Sequence, residues 1–361
     1  MNRREYLKTA GIASACVAAP VSAVTMTGGT ITQEGNNTTN GTQTEGTTEV
    51  GPGGITSELE VMTYNIHHGE GADGVYDLRR SAGEIWATDP DIVGLQELDW
   101  NFLFEPEETT ESRSNFDRQI KLLAEWLEMD YAFAANLNLP PIDASDGQPR
   151  RYGIGVLSKH PILETTHAFL PKIEYEDQYS EQRGLLGTRI NVNGTMVWFY
   201  NTHMGLTEEQ RIRQMDEILN AVEGQPDPKF VVGDFNAEPG SAPYEAINSE
   251  YVDVLGELGE TDYTFPAPYL GETEERIRED ERVRIDYIFS SAGVEPLRGR
   301  IKQTIASDHL PVQTTVGISG IDAEAPEPIE NPTGGEDGVG NETGDNETDT
   351  SDTGENASTS S

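Results

Sequence analysis

One cysteine, Cys16, is all the chain contains, and it lies near the N-terminus, so the remainder has no disulfide to rely on. Lysine is nearly as scarce, at six residues, and 24 basic side chains face 64 acidic ones. That balance leaves no broad basic face for holding a nucleic-acid backbone by its phosphates. In molar salt, counterion release would drive little binding in any case, so the shortage of cations does not dispose of a nucleic-acid substrate. A bilayer-spanning segment is missing from the N-terminal stretch too: residues 9–23 are too few and too rich in small side chains. No internal repeat is evident.

What the N-terminus does carry is an export pattern. "MNRREYLKTAG" supplies Arg3 and Arg4, then Leu7 and Lys8, and a short apolar stretch closes on "VSA" at 21–23, the layout of a twin-arginine signal over residues 1–23. Lipid modification of Cys16 is the alternative for this segment, and a membrane contact is expected only with it; Ala13, three positions earlier, is small where a larger aliphatic residue would suit. Residues 24–57 are rich in Thr, Asn and Gly, and 319–361 are rich in acidic residues, Thr, Gly and Asn and have no Lys or Arg, so neither has the apolar surface to fold. Asn37, Asn40, Asn341, Asn346 and Asn356 each open an Asn-x-Ser/Thr triplet, which suits glycosylated tails outside the cell or simply reflects this composition.

One folded domain is left, residues 58–318, and it keeps 48 acidic against 21 basic residues, near −27. Charge of one sign at this density destabilises a compact chain in dilute buffer. At molar salt the Debye length falls to about 3 Å, and the same charges repel far less. A salt-adapted extracellular protein is the natural reading, with a polyanion-repelling surface the runner-up.

Strands and helices alternate along this domain. "LEVMTYNI" sets Leu59, Val61 and Thr63 against Met62, Tyr64 and Ile66, largely apolar on both faces, and so reads as a central strand ending at Asn65. Leu78, Ala82, Ile85 and Trp86 form one helical stripe that stops before Pro90. "DIVGLQELD" is a second buried strand with Glu97 at its end, and a helix follows over about 117–128 on Ile120, Leu123, Ala124 and Leu127. Strands are expected at 152–158, 184–192 and 196–203, the last ending at His203. Thr207 and Gln210 match a capping box opening a helix to about 222, with Ile212, Met215, Leu219 and Val222 inward. "VVGDFN", "VRIDYIFS" and "SDHLPV" complete the set.

Strand ends thus deliver Asn65, Glu97, His203, Asp234 with Asn236, Asp286, and Asp308 with His309. Converging, they make an oxygen-rich pocket with two imidazoles. Carboxylate and carbonyl donors suit a hard cation such as Mg²⁺, with Mn²⁺ as a substitute, rather than zinc. Such a pocket fits phosphoester hydrolysis, where negative charge must be neutralised and a water aimed. Each residue alone has a plainer reading: Asn65 as a turn residue, Glu97 as a solvated carboxylate, His203 as a half-buried histidine, Asp286 as the ion-pair partner of Arg284. His67, His68, His160 and His167 read as structural or rim residues, the first two near enough to Asn65 to touch substrate.

"TYNIHHG", "LQELD", "GIGVLSKHPI", "NTHMG", "GDFNAEP", "RIDYIF" and "SDHLPV" occur in the order found in the endonuclease/exonuclease/phosphatase superfamily, which the chain resembles over 58–318. The resemblance implies a four-layer α/β sandwich like that of pancreatic deoxyribonuclease, two mixed sheets face to face between helices. It implies Glu97 as the main metal ligand, joined by Asn65 and Asp308. Asp286 would hold one tautomer of His309, which acts on the phosphate or the water. Asp234 and Asn236 would orient that water and a phosphate oxygen, His203 would donate to another oxygen or assist the leaving group, and Arg183 would neutralise phosphate charge. The substrate class stays open between nucleic acid, lipid headgroup and small phosphorylated molecule, and no stable protein partner is evident. A metal-dependent phosphodiesterase leads, with a phosphomonoesterase and a catalytically inactive surface-binding domain as alternatives. Two long segments, 101–116 with Phe102 and Phe104 and 267–283 with Arg276, Arg278 and Arg282, are expected to choose the substrate, though the second also suits a solvated, ion-paired helix.

Overall fold

The computed structural model describes residues 57–102, 113–142, 147–176, 180–268 and 282–318. The export pattern with Cys16, the linker up to residue 56, the five Asn triplets, the tail from 319 and the middles of the two long segments, with Phe104, Arg276 and Arg278, lie outside them.

Two six-stranded mixed sheets carry the architecture. The first comprises β1 (Ser57–Asn65), β2 (Ile92–Trp100), β3 (Asp130–Leu139), β4 (Arg150–Ser158), β11 (Val294–Ile301) and β12 (Val312–Ile318), in the order β11-β12-β1-β2-β4-β3. The second comprises β5 (Ile162–Phe169), β6 (Gly184–Val192), β7 (Thr195–His203), β8 (Lys229–Asp234), β9 (Val252–Asp253) and β10 (Asp286–Ser290), in the order β5-β6-β7-β8-β10-β9. Because side chains alternate along a strand, each sheet has two apolar faces to cover. Leu59 and Val61 of β1 meet Phe199, Phe230 and Val232 in the core between the sheets. Met62 and Tyr64 turn the other way, onto Leu78, Ala82 and Ile85 of α1 (Leu78–Thr88) and Ile120, Leu123 and Ala124 of α2 (Gln119–Leu127). Behind the second sheet, Val231 and Phe289 pack on Met215, Ile218 and Val222 of α3 (Glu208–Glu223) and on Tyr244 and Ile247 of α4 (Ala242–Asn248). A helical turn, α5 (Val254–Glu257), contributes Val254 and Leu255 to the central core. The result is the expected four-layer α/β sandwich.

Several details differ from expectation. In α3, Ile218 rather than Ile212 faces the core; Ile212 is 39% exposed, because the buried stripe runs through Gln214, Met215, Ile218 and Val222. No capping box forms: Thr207 makes no side-chain cap, and Gln210 is buried, accepting from Ser180 Oγ at 2.9 Å. Asp77 caps α1, accepting from Arg79 N–H at 3.0 Å. Phe102, expected on a recognition loop, is buried against Tyr152, with Arg113 above both rings. The sequence pattern does not announce strands β3, β5 and β11.

Candidate active site

Strand direction brings the polar residues to one edge of the sandwich. β1 and β2 run parallel, with Asn65 opposite Gln96, and β7 and β8 run parallel, with His203 opposite Asp234. β10 is antiparallel to β8, so its first residue, Asp286, sits across from Asp234. β12 is antiparallel to β1 and begins opposite Thr63, which leaves the preceding loop, with Ser307, Asp308 and His309, beside Asn65. Ser307 Oγ pins that loop by donating to the Asn65 carbonyl at 2.8 Å. Parity does the rest: Asp234 follows Phe230 and Val232 on the face between the sheets, as Asn65 follows Val61 and Thr63.

Glu97 breaks that alternation. The register between β2 and β4 shifts between Leu95 and Leu98, and Glu97 sits there at φ 59°, a bulge that turns its carboxylate toward Asn65. Beneath the site, Gln96 Nε2 donates to Asn201 Oδ1 at 2.6 Å and to Thr63 Oγ1 at 3.1 Å, a buried polar link between the two sheets. Gly233, before Asp234, has φ 145°, and a Cβ there would lie 2.0 Å from the Thr202 carbonyl oxygen, so only glycine lets β7 and β8 approach this closely.

Asp234 is the hub. Its Oδ2 accepts from Asn65 Nδ2 at 3.1 Å and lies 3.4 Å from His203 Nε2 and 3.6 Å from His309 Nε2, while Oδ1 accepts from the Asn236 N–H at 2.9 Å. The Asn236 side chain donates to the Met204 carbonyl at 3.0 Å, which secures the turn. His309 Nδ1 lies 2.9 Å from Asp286 Oδ2, so that nitrogen donates and Nε2 points at the hub. Arg284 pairs instead with Asp253, through contacts of 2.7 and 2.8 Å, and leaves Asp286 to the histidine. Asn65 Nδ2 also donates to Glu97 Oε1 at 3.0 Å, and its oxygen accepts from the His67 N–H at 3.0 Å.

Burial and neighbouring charge set the protonation states. Burial pushes the Asp234 carboxyl up, Asp286 adds to this, and His309 opposes it, with a net rise to about 7. For His309, burial favours the neutral ring but is outweighed by Asp286 and then Asp234, and the imidazole rises to about 10. His203 is held well below its usual value by burial, then Arg183 and His309. A guanidinium has only donors, so Arg183 Nη1, 3.0 Å from His203 Nδ1, fixes the tautomer that carries hydrogen on Nε2.

Arg183 differs from the expected phosphate clamp. It is buried behind His203 and its charge is matched by Glu181, 2.6 Å away, so it positions the histidine rather than reaching outward. Two residues read as rim from the sequence are inside the site. His67 and His68, both in left-handed backbone conformation, group with Glu97 as prospective metal donors, and Asp308 Oδ1 lies 3.8 Å from His67 Nδ1. Burial, then Arg113 and His67, lowers His68 to about 2, so its ring is neutral. His167 faces Asn136 at 3.3 Å, and His160 uses its backbone to bond Ser158. A divalent ion fits the donors present: the carboxylates of Glu97 and Asp308 stand near the Nδ1 atoms of His67 and His68, both buried without a hydrogen-bond partner.

The sequence model of the Endonuclease/Exonuclease/phosphatase family matches residues 62–309. No curated protein sequence matches the chain. Among solved structures, a protein of that family from Beutenbergia cavernae is similar at 24% identity and TM-score 0.55, with 72% of each chain covered. A mannosyl-6-phosphatase from Bacteroides thetaiotaomicron is similar at 19% identity and TM-score 0.52, covering 72% of this chain and 99% of that one. The catalytic domain of human nocturnin, solved with a bound sulfate anion, is similar at 20% identity and TM-score 0.50, covering 72% and 94%. At these identities the likeness establishes the fold.

Proposed function

Because the chain belongs to the endonuclease/exonuclease/phosphatase family, we propose that it hydrolyses phosphodiesters with the help of a bound divalent ion of the Mg²⁺ or Mn²⁺ type. The observation that carries this reading is the hub: one carboxylate oxygen of Asp234 within 3.1 to 3.6 Å of Asn65, His203 and His309. Family membership supports phosphoester chemistry, and the hub supports water attack.

Asp234, its carboxyl raised by burial and by Asp286 above the usual carboxylate range, takes the proton of the attacking water as the oxygen–phosphorus bond forms. Asn236 fixes the carboxylate through its N–H. His309, kept protonated beside Asp286, gives the proton on Nε2 to the ester oxygen that departs with the electron pair of the broken bond. His203, neutral and locked by Arg183, donates from Nε2 to a phosphoryl oxygen. Glu97 and Asp308 would hold the ion, which supplies charge neutralisation and polarises the phosphoryl group; Asn65, expected as a third ligand, instead turns its Nδ2 to Glu97 and its oxygen to the His67 N–H, and so positions the Glu97 carboxylate.

A second reading, a phosphomonoesterase acting on a small molecule, is favoured by the excess of 48 acidic over 21 basic residues in 58–318. That surface repels long polyanions at low ionic strength. The export pattern and the acidic composition further support a protein exported by the twin-arginine route and working outside the cell in high salt. The experiment is a panel of an aryl phosphodiester, DNA, a phospholipid and sugar phosphates at molar salt, with and without chelator. The reading expects chelator-sensitive diester cleavage. Phosphate release from monoesters alone would move the assignment to the second reading, and no turnover by folded, metal-supplemented protein would refute both.

A further inference from the structure

We infer that His67 and His68 are direct ligands of the ion held at Glu97, which makes this a mixed nitrogen and oxygen centre selective for a borderline transition ion, Mn²⁺ through Zn²⁺, over Mg²⁺. The inference rests on the metal-dependent reading above and adds the identity of the ion.

Four observations carry it. His68 is 5% exposed, and its Nδ1 is buried without a hydrogen-bond partner, 4.0 Å from Glu97 Oε2. Two donors sharing one ion through bonds of about 2.0–2.2 Å lie no more than roughly 4.4 Å apart, so this separation admits an ion between them. His67 Nδ1 is equally buried without a hydrogen-bond partner, and Asp308 Oδ1 lies 3.8 Å from it. Beyond the ring of His68, Glu70 Oε2 lies 3.6 Å from Nε2. A carboxylate behind the outer nitrogen is the arrangement that keeps hydrogen on that nitrogen and frees the inner one for a metal.

The fourth observation is the backbone. His67 and His68 follow one another at φ 45° and 43°, a strained region that non-glycine residues seldom occupy. The strain is held from outside: Gln119 Nε2 donates to the His68 carbonyl at 2.5 Å, and Asn65 Oδ1 accepts from His67 N–H at 3.0 Å. Its effect is to bring two consecutive side chains, which a strand would send to opposite faces, into one group with Glu97. Imidazole prefers Zn²⁺ and its neighbours, whereas an all-oxygen set leaves Mg²⁺ competitive.

The test measures binding rather than turnover. Metal-free wild type, His67→Asn, His68→Asn and the double variant are titrated calorimetrically with Mn²⁺ and Mg²⁺ at fixed molar salt. Asn adopts the left-handed region readily, so the backbone is respected. The wild type should favour Mn²⁺, and each substitution should lower the Mn²⁺/Mg²⁺ affinity ratio by about tenfold or more. A ratio unchanged in the folded double variant overturns the inference. Should the variants not fold, pulsed electron paramagnetic resonance of the Mn²⁺-loaded wild type decides: nitrogen coupling from imidazole supports it, and its absence overturns it. Equal affinity for Mg²⁺ and Mn²⁺ without nitrogen coupling would remove this inference and leave a metal-dependent hydrolase standing. Failure of every divalent ion to bind would remove both.

Discussion

Replacing Asp286 with Asn removes one charge from a cluster whose members all sense one another. The carboxylate accepts from His309 Nδ1 at 2.9 Å and is the foremost of the groups that raise the imidazole, against burial, from 6.5 to about 10. An amide oxygen in its place still accepts the N–H but loses the charge-assisted part, about 1–2 kcal/mol. At about 1.36 kcal/mol per pKa unit, His309 should titrate roughly one pH unit lower, or somewhat more. The assay is a proton NMR titration of the His309 ring in metal-free protein at constant salt, with melting temperature recorded at each pH. The folded value of His309 lies above its unfolded 6.5, so its stabilisation is complete below that pH and fades as pH rises toward about 10. Asp234, raised from 3.8 to about 7, likewise favours the folded state at low pH and loses that contribution as pH climbs through this range. Wild type should therefore lose stability steadily on alkalinisation, and Asp286→Asn should complete its loss at lower pH. A His309 midpoint identical in the two proteins would refute the coupling.

Gly233→Ala places a Cβ 2.0 Å from the Thr202 carbonyl at φ 145°, so the melting temperature should fall by well over the ~2–4 °C that about 1 kcal/mol removes from a domain of this size. An unchanged melting temperature would mean that β7 and β8 do not meet as described. Raising salt from dilute to molar should raise the melting temperature, because 48 acidic against 21 basic residues repel less when screened; a fall would contradict the salt-adapted reading. Glu97→Ala should abolish calorimetric binding of Mn²⁺ and Mg²⁺ alike while the fold persists, and retention of either ion at wild-type affinity would displace Glu97 as a ligand.

The central strands and the strand-end residues were legible because a buried strand writes its pattern twice, once per face, and Asn65, Asp234 and His203 each stand where such a run stops. Strands β3, β5 and β11 are the edges of their sheets, where one side has no partner and the pattern weakens. "ILETTHAF" is exposed at most positions, "DYAFAANLNL" leans on Ala and Asn, and "VEPLRGRI" contains the Pro and Gly that edges tolerate. Glu97 could be named from its strand but not aimed, since the bulge that turns it is a matter of register with β4. His67 and His68 read as structural or rim residues in the sequence for a similar reason: their consecutive left-handed backbone is held by Gln119, far along the chain. The pairing of Arg183 with His203 and of Gln210 with Ser180 is also long-range, and a local capping pattern at Thr207 pointed elsewhere.

Hydrolysis of an aryl phosphodiester by Mn²⁺-loaded Asp234→Asn, set beside wild type at the same molar salt, tests the hub most directly. Asparagine keeps the shape and the Asn236 contact but cannot take a proton, so the turnover number should drop by about 10²-fold or more with ion affinity little changed. Turnover within about threefold of wild type would contradict the account.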